Sequence, residues 1–193
     1  MIETLLLTLF IISSLVYLCL MNNTKARLIS KPVPALILVI YSLISLDLPM
    51  AMVFLLAGIG DYLLIFPAKL PWGMLAFAVA YTTLNLITFS YFSPLYLLIA
   101  IPMAAVILWL RDELMKQGIF YLLIAYAALV IFFLLVNAMG HFFHSGSIAL
   151  GLGLLLLAVS DVFIGIRFSK PFKYISYIIM ITYYAGLLLV SGL

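Results

Sequence analysis

The chain has 193 residues, of which 68% are hydrophobic and only 8% are charged. An ordinary soluble domain has about 25% charged residues, so this composition excludes one. The net charge of +3 does not indicate a nucleic-acid-binding protein, because a chain built from buried apolar helices offers no broad basic surface. We therefore expect an integral membrane protein whose surroundings are membrane lipids.

Hydropathy predicts an all-α, polytopic helix bundle that forms a single transmembrane domain over residues 1–193. A spanning helix needs roughly 20 residues, so eight of them with short loops use nearly the whole chain. The first apolar stretch lacks a basic region and a small-residue cleavage site, which favours a retained span over a signal peptide. The single cysteine, Cys19, excludes a disulfide framework. The predicted spans lie near 2–21, 33–47, 49–66, 71–89, 93–110, 118–137, 146–166 and 173–191.

The basic residues predict the orientation of these spans. All nine fall in or beside odd-numbered loops, so the positive-inside rule places those loops in the cytoplasm and both termini outside. The weakest boundary is near Asp47, where spans two and three could be misread as one. Merging them would put Lys69 on the opposite side from Lys31, which favours two spans. We expect a multi-pass protein of a bacterial inner membrane.

Two of the six acidic residues, Asp61 and Asp161, lie inside predicted spans. An ionisable group at membrane depth costs several kcal/mol and is usually functional, although a protonated aspartate can also hold helices together. Asp61 comes six residues before Pro67, and Asp161 comes six residues before Arg167, so each lies about 9 Å from the cytoplasmic end of its span. We expect both carboxyl groups at one depth in the cytoplasmic half of the bilayer. That they share one cavity is a hypothesis.

Short motifs around these aspartates follow one another along nearly the whole chain. They are a Lys-Pro pair, Gly-Asp-x-x-Leu, Gly-x-x-x-Phe, Ser-Asp and a Tyr-Tyr pair, carried by Lys31, Pro32, Gly60, Asp61, Leu64, Gly73, Phe77, Ser160, Asp161, Tyr183 and Tyr184. In this order, within an eight-span frame, the chain resembles the YhhN-like membrane proteins, which include the lysoplasmalogenases. The family often has a histidine where this chain has Tyr81, and a glutamine where it has Gly186.

The resemblance implies hydrolysis of the vinyl ether bond of lysoplasmalogens to a fatty aldehyde and glycerophosphoethanolamine or glycerophosphocholine. It implies no metal or organic cofactor. Protonation of the outer alkene carbon leaves an oxocarbenium ion that water captures, so the reaction needs one protonated carboxyl group and one carboxylate. Burial and a neighbouring carboxylate both favour the protonated form, and glycosidases use a similar pair. Asp61 and Asp161 are the expected catalytic pair, and their acid and base roles stay open because coupled groups titrate together.

Five further side chains are candidates for binding the lysophospholipid substrate. Lys31 begins span two at the cytoplasmic face, where it could bind the phosphate or bias the charge of an aspartate; a topology-setting lysine is the alternative. Tyr81, Tyr183 and Tyr184 lie too deep for an interfacial belt and could donate hydrogen bonds to a carboxylate, although helix packing would also explain them. Arg167 is a candidate for the phosphate as well as a positive-inside residue.

Two other functions stay open at this stage. Residues 58–61 spell GxGD, the motif of intramembrane aspartyl proteases, but neither the earlier Tyr-Asp nor the later Pro-Ala-Leu of those proteases stands in the right place here. A proton-coupled transporter could use the aspartates as a relay, but it would need a broken helix near the midplane, for which Pro102 is the nearest candidate. His141 and His144, in the predicted outer loop between spans six and seven, have no nearby acid and make a poor metal site.

Overall fold

The computed structural model describes residues 2–116, 118–145 and 147–193, and every regular element in these ranges is helical, as predicted. Short 3-10 turns precede α5 and α6 at Pro67–Lys69 and Pro94–Ile99, and π-helical segments at Ala127–Ile131 and His141–Ser145 flank α8. The α-helices are α1 (Ile2–Leu20), α2 (Thr24–Ser30), α3 (Val33–Ile44), α4 (Leu48–Leu63), α5 (Leu70–Thr88), α6 (Ala100–Lys116), α7 (Phe120–Tyr126), α8 (Phe132–Gly140), α9 (Ile148–Ser169) and α10 (Ile175–Ser191).

Several helical runs are long and apolar enough to cross a membrane, as expected of an integral membrane protein. Five reach this length in the described part of the chain: Ile2–Leu20, Thr24–Ile44, Pro67–Thr88, Pro94–Lys116 and Ile148–Ser169. Three further apolar helices are shorter: Leu48–Leu63, Phe132–His144 and Ile175–Ser191. Each of these runs overlaps one predicted span.

The chain divides into two compact units. The first contains the described residues up to Ile87 together with Leu193, and the second is Thr88–Gly192. Within the first unit α1 packs on α3, and α3 packs on α4; within the second, α9 packs on both α8 and α10. The division falls at the C-terminal end of α5, inside predicted span four.

The predicted break near Asp47 is present between two separate helices. Helix α3 ends at Ile44 and α4 begins at Leu48, and the two pack against each other as separate helices. Leu46 takes a left-handed conformation (φ 57°), which reverses the chain. Asp47 then caps α4 by accepting a hydrogen bond from the backbone N–H of Met50 at 3.0 Å. A capped start directly after a reversal cannot be the middle of one long helix.

Two expected loops are helical instead. Residues 111–116 were expected in a charged loop but form the last turns of α6, where Lys116 Nζ and Glu113 Oε1 lie 3.0 Å apart. His141 and His144 were expected in an outer loop and lie in a π-helical segment. Hydropathy marks only the apolar part of a helix, and charged residues such as Glu and Lys are good helix formers, so a helix can extend beyond it.

Glycines let α4 and α5 approach closely within the first unit. A Cβ atom on Gly60 would lie 2.7 Å from the ring of Phe77, and one on Gly73 would lie 2.7 Å from Leu64 Cδ2. The two motifs Gly-Asp-x-x-Leu and Gly-x-x-x-Phe therefore interlock, since the glycine of each receives the large side chain of the other. Helix packing through small residues is typical of membrane proteins.

A second close approach joins α9 and α10 in the second unit. A Cβ atom on Gly186 would lie 2.9 Å from Leu157 Cδ2 and 3.0 Å from the carbonyl oxygen of Gly153. Ser160 Oγ also donates a hydrogen bond to the carbonyl oxygen of Ile179 at 3.1 Å. A glutamine in place of Gly186 would force these helices apart, so the glycine suits the packing of this chain.

We expect Gly60→Ala to lower the free energy of unfolding by about 1–3 kcal/mol, because the added methyl group overlaps the Phe77 ring. Gly165→Ala on α9 is the matched control, since its Cβ atom would meet no heavy atom within 4 Å. Thermal unfolding of both variants in one detergent checks this. Equal stability of Gly60→Ala and the wild type would contradict the interlocked packing.

Candidate functional site

Lys31 and Asp61 form a buried ion pair in the first unit. The Lys31 ammonium nitrogen lies 3.1 Å from Asp61 Oδ1 and donates a second hydrogen bond to the Asp61 backbone carbonyl at 3.2 Å. Lys31 is 8% exposed and Asp61 is 2% exposed. A carboxylate and an ammonium group removed from water stabilise each other only at such short distances. The structure thus brings two of the predicted site residues together.

The local sequence explains why the pair forms. Lys31 follows α2 directly and precedes Pro32, so its side chain starts where α3 begins. A Cβ atom on Gly58 would lie 3.4 Å from that of Ala35 on α3, so α4 lies close to the start of α3. Asp61 comes less than one turn after Gly58. Both glycines of the GxGD sequence thus serve helix packing here.

Asp161 lies in a different environment in the second unit. It is 6% exposed and belongs to α9. The phenol of Tyr126 donates a hydrogen bond of 2.7 Å to Asp161 Oδ2. Tyr126 is the last residue of α7, directly before the π-helical segment Ala127–Ile131. Such π-helical segments change the facing of side chains and are frequent at functional sites.

A cavity of about 220 Å³ in the second unit has Asp161 in its wall. Among the described residues that line it, Asp161 is the only one with a polar side chain. Helix α6 contributes a stripe at helical spacing along one wall, and residues of α7, α8 and the π-helical segment contribute another. The lining residues are Ile99, Pro102, Met103, Val106, Ile107, Leu110, Leu114, Leu123, Ile124, Ala127, Ile131, Leu135, Asp161, Val162 and Gly165.

The predicted tyrosines are all buried. Tyr81 is fully buried in the first unit, with its ring 5.5 Å from that of Phe77. Tyr183 and Tyr184, each 3% exposed, lie on α10 with their ring centroids 5.3 Å apart. Their depth agrees with the prediction that they are not interfacial residues. Hydrogen bonds from them to an aspartate stay a prediction.

Arg167 lies near the C-terminal end of α9 and is exposed. Its guanidinium carbon is 5.9 Å from the centre of the Phe168 ring. In the same unit the Lys170 ammonium group lies 4.1 Å above the ring of Trp109 on α6. Two cations at this end of α9 suit an anionic headgroup.

The equal spacing of the aspartates from Pro67 and Arg167 does not correspond to equal positions in their helices. Asp61 is two residues before the end of α4, whereas Asp161 is eight residues before the end of α9. The first helix stops early because Pro67 follows, and the second continues through Arg167. A matched membrane depth and a shared cavity stay predictions.

Tyr126 is a site residue that sequence reasoning missed. It lies in the middle of predicted span six, as Tyr81 does in span four, so its depth in the membrane could be predicted. No sequence motif contains it. It contacts Asp161 directly before the π-helical segment, for which the sequence offers no pattern.

The two histidines serve other contacts in the second unit. His141 Nε2 lies 2.7 Å from the carbonyl oxygen of Thr88, and His144 Nδ1 lies 2.9 Å from the phenol oxygen of Tyr96. The ring of Tyr91 stacks on His144 with centroids 3.8 Å apart. Across the described residues, no group of three or more histidine, cysteine, aspartate or glutamate side chains is placed to hold a metal ion.

Comparison with known proteins gives one family match. The family model described as the YhhN family matches residues 26–193, a range that contains Lys31 and both buried aspartates. No curated protein and no solved structure matches the chain significantly.

We expect Lys31→Met to lower the free energy of unfolding by about 3 kcal/mol, because it leaves Asp61 buried without its cation. The double variant Lys31→Met with Asp61→Asn removes both charges and should recover most of the loss. Lys25→Met, at an exposed lysine on α2, is the matched control and should stay within about 0.5 kcal/mol of wild type. Thermal unfolding of the four proteins measures this. If Lys31→Met and the double variant lose the same free energy of unfolding, the ion pair does not stabilise the fold.

Proposed function

Because the chain belongs to the YhhN family, we propose that it is a lysoplasmalogenase-like hydrolase acting on the vinyl ether bond of lysoplasmalogens. The products are a fatty aldehyde and glycerophosphoethanolamine or glycerophosphocholine. The chain is an integral membrane protein with two buried aspartates, which suits a substrate that lies in the bilayer.

The observation that carries this proposal is the contrast between the two aspartates. Asp61 lies 3.1 Å from the Lys31 ammonium group, which supplies a counter-charge. Asp161 lies in the wall of a cavity whose other described lining residues are apolar. Two carboxyl groups whose environments favour different protonation states are the usual assignment of an acid and a base. In our proposal Asp161 is the acid and Asp61 stabilises the cation.

The reaction then proceeds in three steps. The Asp161 carboxyl group transfers its proton to the outer alkene carbon, whose π electrons form the new C–H bond and leave an oxocarbenium ion. Water adds to that cation and gives its proton to the Asp161 carboxylate, which restores the acid and forms a hemiacetal. The hemiacetal then breaks its bond to the glycerol oxygen, and its hydroxyl proton moves to that oxygen. The products are the aldehyde and the glycerophospho-alcohol.

The remaining predicted residues receive roles in this scheme. The ion pair supports the second of the two roles expected for Lys31, which is to hold an aspartate in its charged form. The phosphate is then assigned to Arg167, which lies about 9 Å from Asp161 along α9. Tyr126 positions Asp161 and stabilises the carboxylate that forms when the proton leaves.

The proposal includes eight transmembrane spans, with both termini outside and the site in the cytoplasmic half of the bilayer. In the described ranges five helices have the full length, and α4 and α10, with 16 and 17 residues, are short for a typical bilayer. Short helices are accommodated by local thinning of the bilayer and by flanking basic side chains. With all eight spans, the basic residues lie on one side.

Two observations bear on the alternatives. The glycines of the GxGD sequence pack against neighbouring helices, and Asp61 is paired with Lys31, so neither feature favours an aspartyl protease.

The π-helical segment after Tyr126 interrupts a helix beside Asp161. A broken helix is what the sequence lacked for a proton-coupled transporter, so this segment favours a proton relay. Proton-coupled flux in proteoliposomes that is lost in Asp161→Asn, without aldehyde release by the wild type, would support the transporter.

We expect Asp61→Asn and Asp161→Asn each to abolish aldehyde release from a lysoplasmalogen, because asparagine keeps the volume but can neither donate a proton nor carry the charge. Asp47→Asn is the matched control: this aspartate is exposed, and asparagine can still cap α4. Aldehyde release by purified protein is measured beside thermal unfolding. Near-full activity of either folded site variant would contradict the proposal.

We expect Tyr126→Phe to lower kcat by about tenfold to a hundredfold, because a hydrogen bond to a charged acceptor contributes roughly 1.5–3 kcal/mol. KM should change little, since the bond strengthens only as Asp161 loses its proton. Tyr121→Phe, at an exposed tyrosine on the same helix, should leave both constants unchanged. A KM effect alone would show that Tyr126 serves binding and does not support proton transfer.

A further inference from the structure

Helix α6 forms much of the wall of the cavity beside Asp161. Its lining residues run from Pro102 to Leu114. These two residues are twelve positions apart, which corresponds to about 18 Å along an α-helix. An apolar wall of that length accommodates an extended hydrocarbon chain.

The chemistry of the wall points to one kind of occupant. Apart from Asp161, the described lining residues carry apolar side chains or, at Gly165, none, so the cavity recognises hydrocarbon. A plain hydrocarbon would place only methylene groups against the Asp161 carboxyl group, with nothing for that group to bind. An alkenyl chain brings an ether oxygen and an electron-rich alkene carbon to the same position.

We propose that this cavity seats the hydrocarbon chain of an ether lysophospholipid, with the carbons next to the ether oxygen beside Asp161. This inference rests on the proposed function and adds the binding site for the chain. The rest of the chain then lies along the α6 stripe, out of contact with water. The cations at the end of α9 face the headgroup in this orientation.

Gly165 is the position at which this inference can be tested. It lies one helical turn after Asp161 on the same face of α9 and also lines the cavity. It is buried, yet a Cβ atom there would meet no heavy atom within 4 Å. A larger side chain at this position would therefore occupy cavity space without displacing another side chain at its Cβ.

The experiment uses a saturated 1-O-alkyl lysophosphoethanolamine that cannot be hydrolysed and carries a diazirine at the end of its chain. The full-length protein in phospholipid nanodiscs is irradiated with this probe, and labelled residues are mapped by mass spectrometry. We expect labels on cavity-facing residues of α6, such as Val106 and Ile107, that an excess of the unlabelled ether lipid suppresses. Leu108 and Trp109, which are exposed on the same helix, report non-specific labelling.

Gly165→Leu should reduce the competitor-sensitive labelling at least about tenfold, the equivalent of roughly two methylene groups kept out of the cavity. Ala105→Leu, at an exposed position on α6, is the matched control and should label as the wild type does. If Gly165→Leu fails to fold, Gly165→Ala provides a smaller step in the same direction. Labels confined to Leu108 and Trp109, or labels that the competitor leaves unchanged, would overturn the inference.

The proposed function and this inference can fail separately. Asp61→Asn, expected to be inactive, should still show competitor-sensitive labels in the cavity. If the wild type releases no aldehyde but carries these labels, the chain site stands and the vinyl ether reaction is wrong. If the wild type releases aldehyde and the cavity stays unlabelled, the reaction stands and the chain site is wrong.

Discussion

The first unit depends on a buried ion pair between Lys31 and Asp61. Two charges withdrawn from water are stable only while they remain in contact, so their 3.1 Å separation restricts where α4 can lie relative to the start of α3. Gly58 makes the approach of α4 to α3 sterically possible, and Gly60 receives the Phe77 ring of α5. A charged aspartate in a membrane helix therefore has a structural cause in this chain as well as a proposed chemical use.

The second unit places the same type of residue in the opposite environment. Asp161 receives a hydrogen bond from Tyr126 and borders a cavity whose other described lining side chains are apolar. The other described lining residues of this cavity carry no charge, whereas Asp61 has the Lys31 ammonium group 3.1 Å away. The proposed hydrolysis of a vinyl ether uses one carboxyl group in each kind of environment. The difference between the environments, more than the presence of two aspartates, is what supports the proposed reaction.

Much of the fold could be predicted from the sequence, because hydropathy and loop charge act over whole helices. Each apolar helix overlaps a predicted span, and charge alone indicated the break between α3 and α4. The family motifs identified Lys31 and Asp61, though not that they touch. Tyr126 and the cavity could not be predicted, since both depend on a π-helical segment and on the spacing between α6 and α9. Equal sequence spacing also suggested equal aspartate positions, but α4 ends before Pro67 and α9 continues past Arg167.

Hydrolysis of a lysoplasmalogen in D2O by the purified protein tests the proposed acid catalysis most directly. A carboxyl proton exchanges with solvent, so protonation of the alkene carbon should place one deuterium on the aldehyde carbon next to the carbonyl group. Mass spectrometry of the released aldehyde, quenched before slow exchange, measures it. An aldehyde formed at full rate without that deuterium would contradict proton transfer to carbon and with it the proposed role of Asp161.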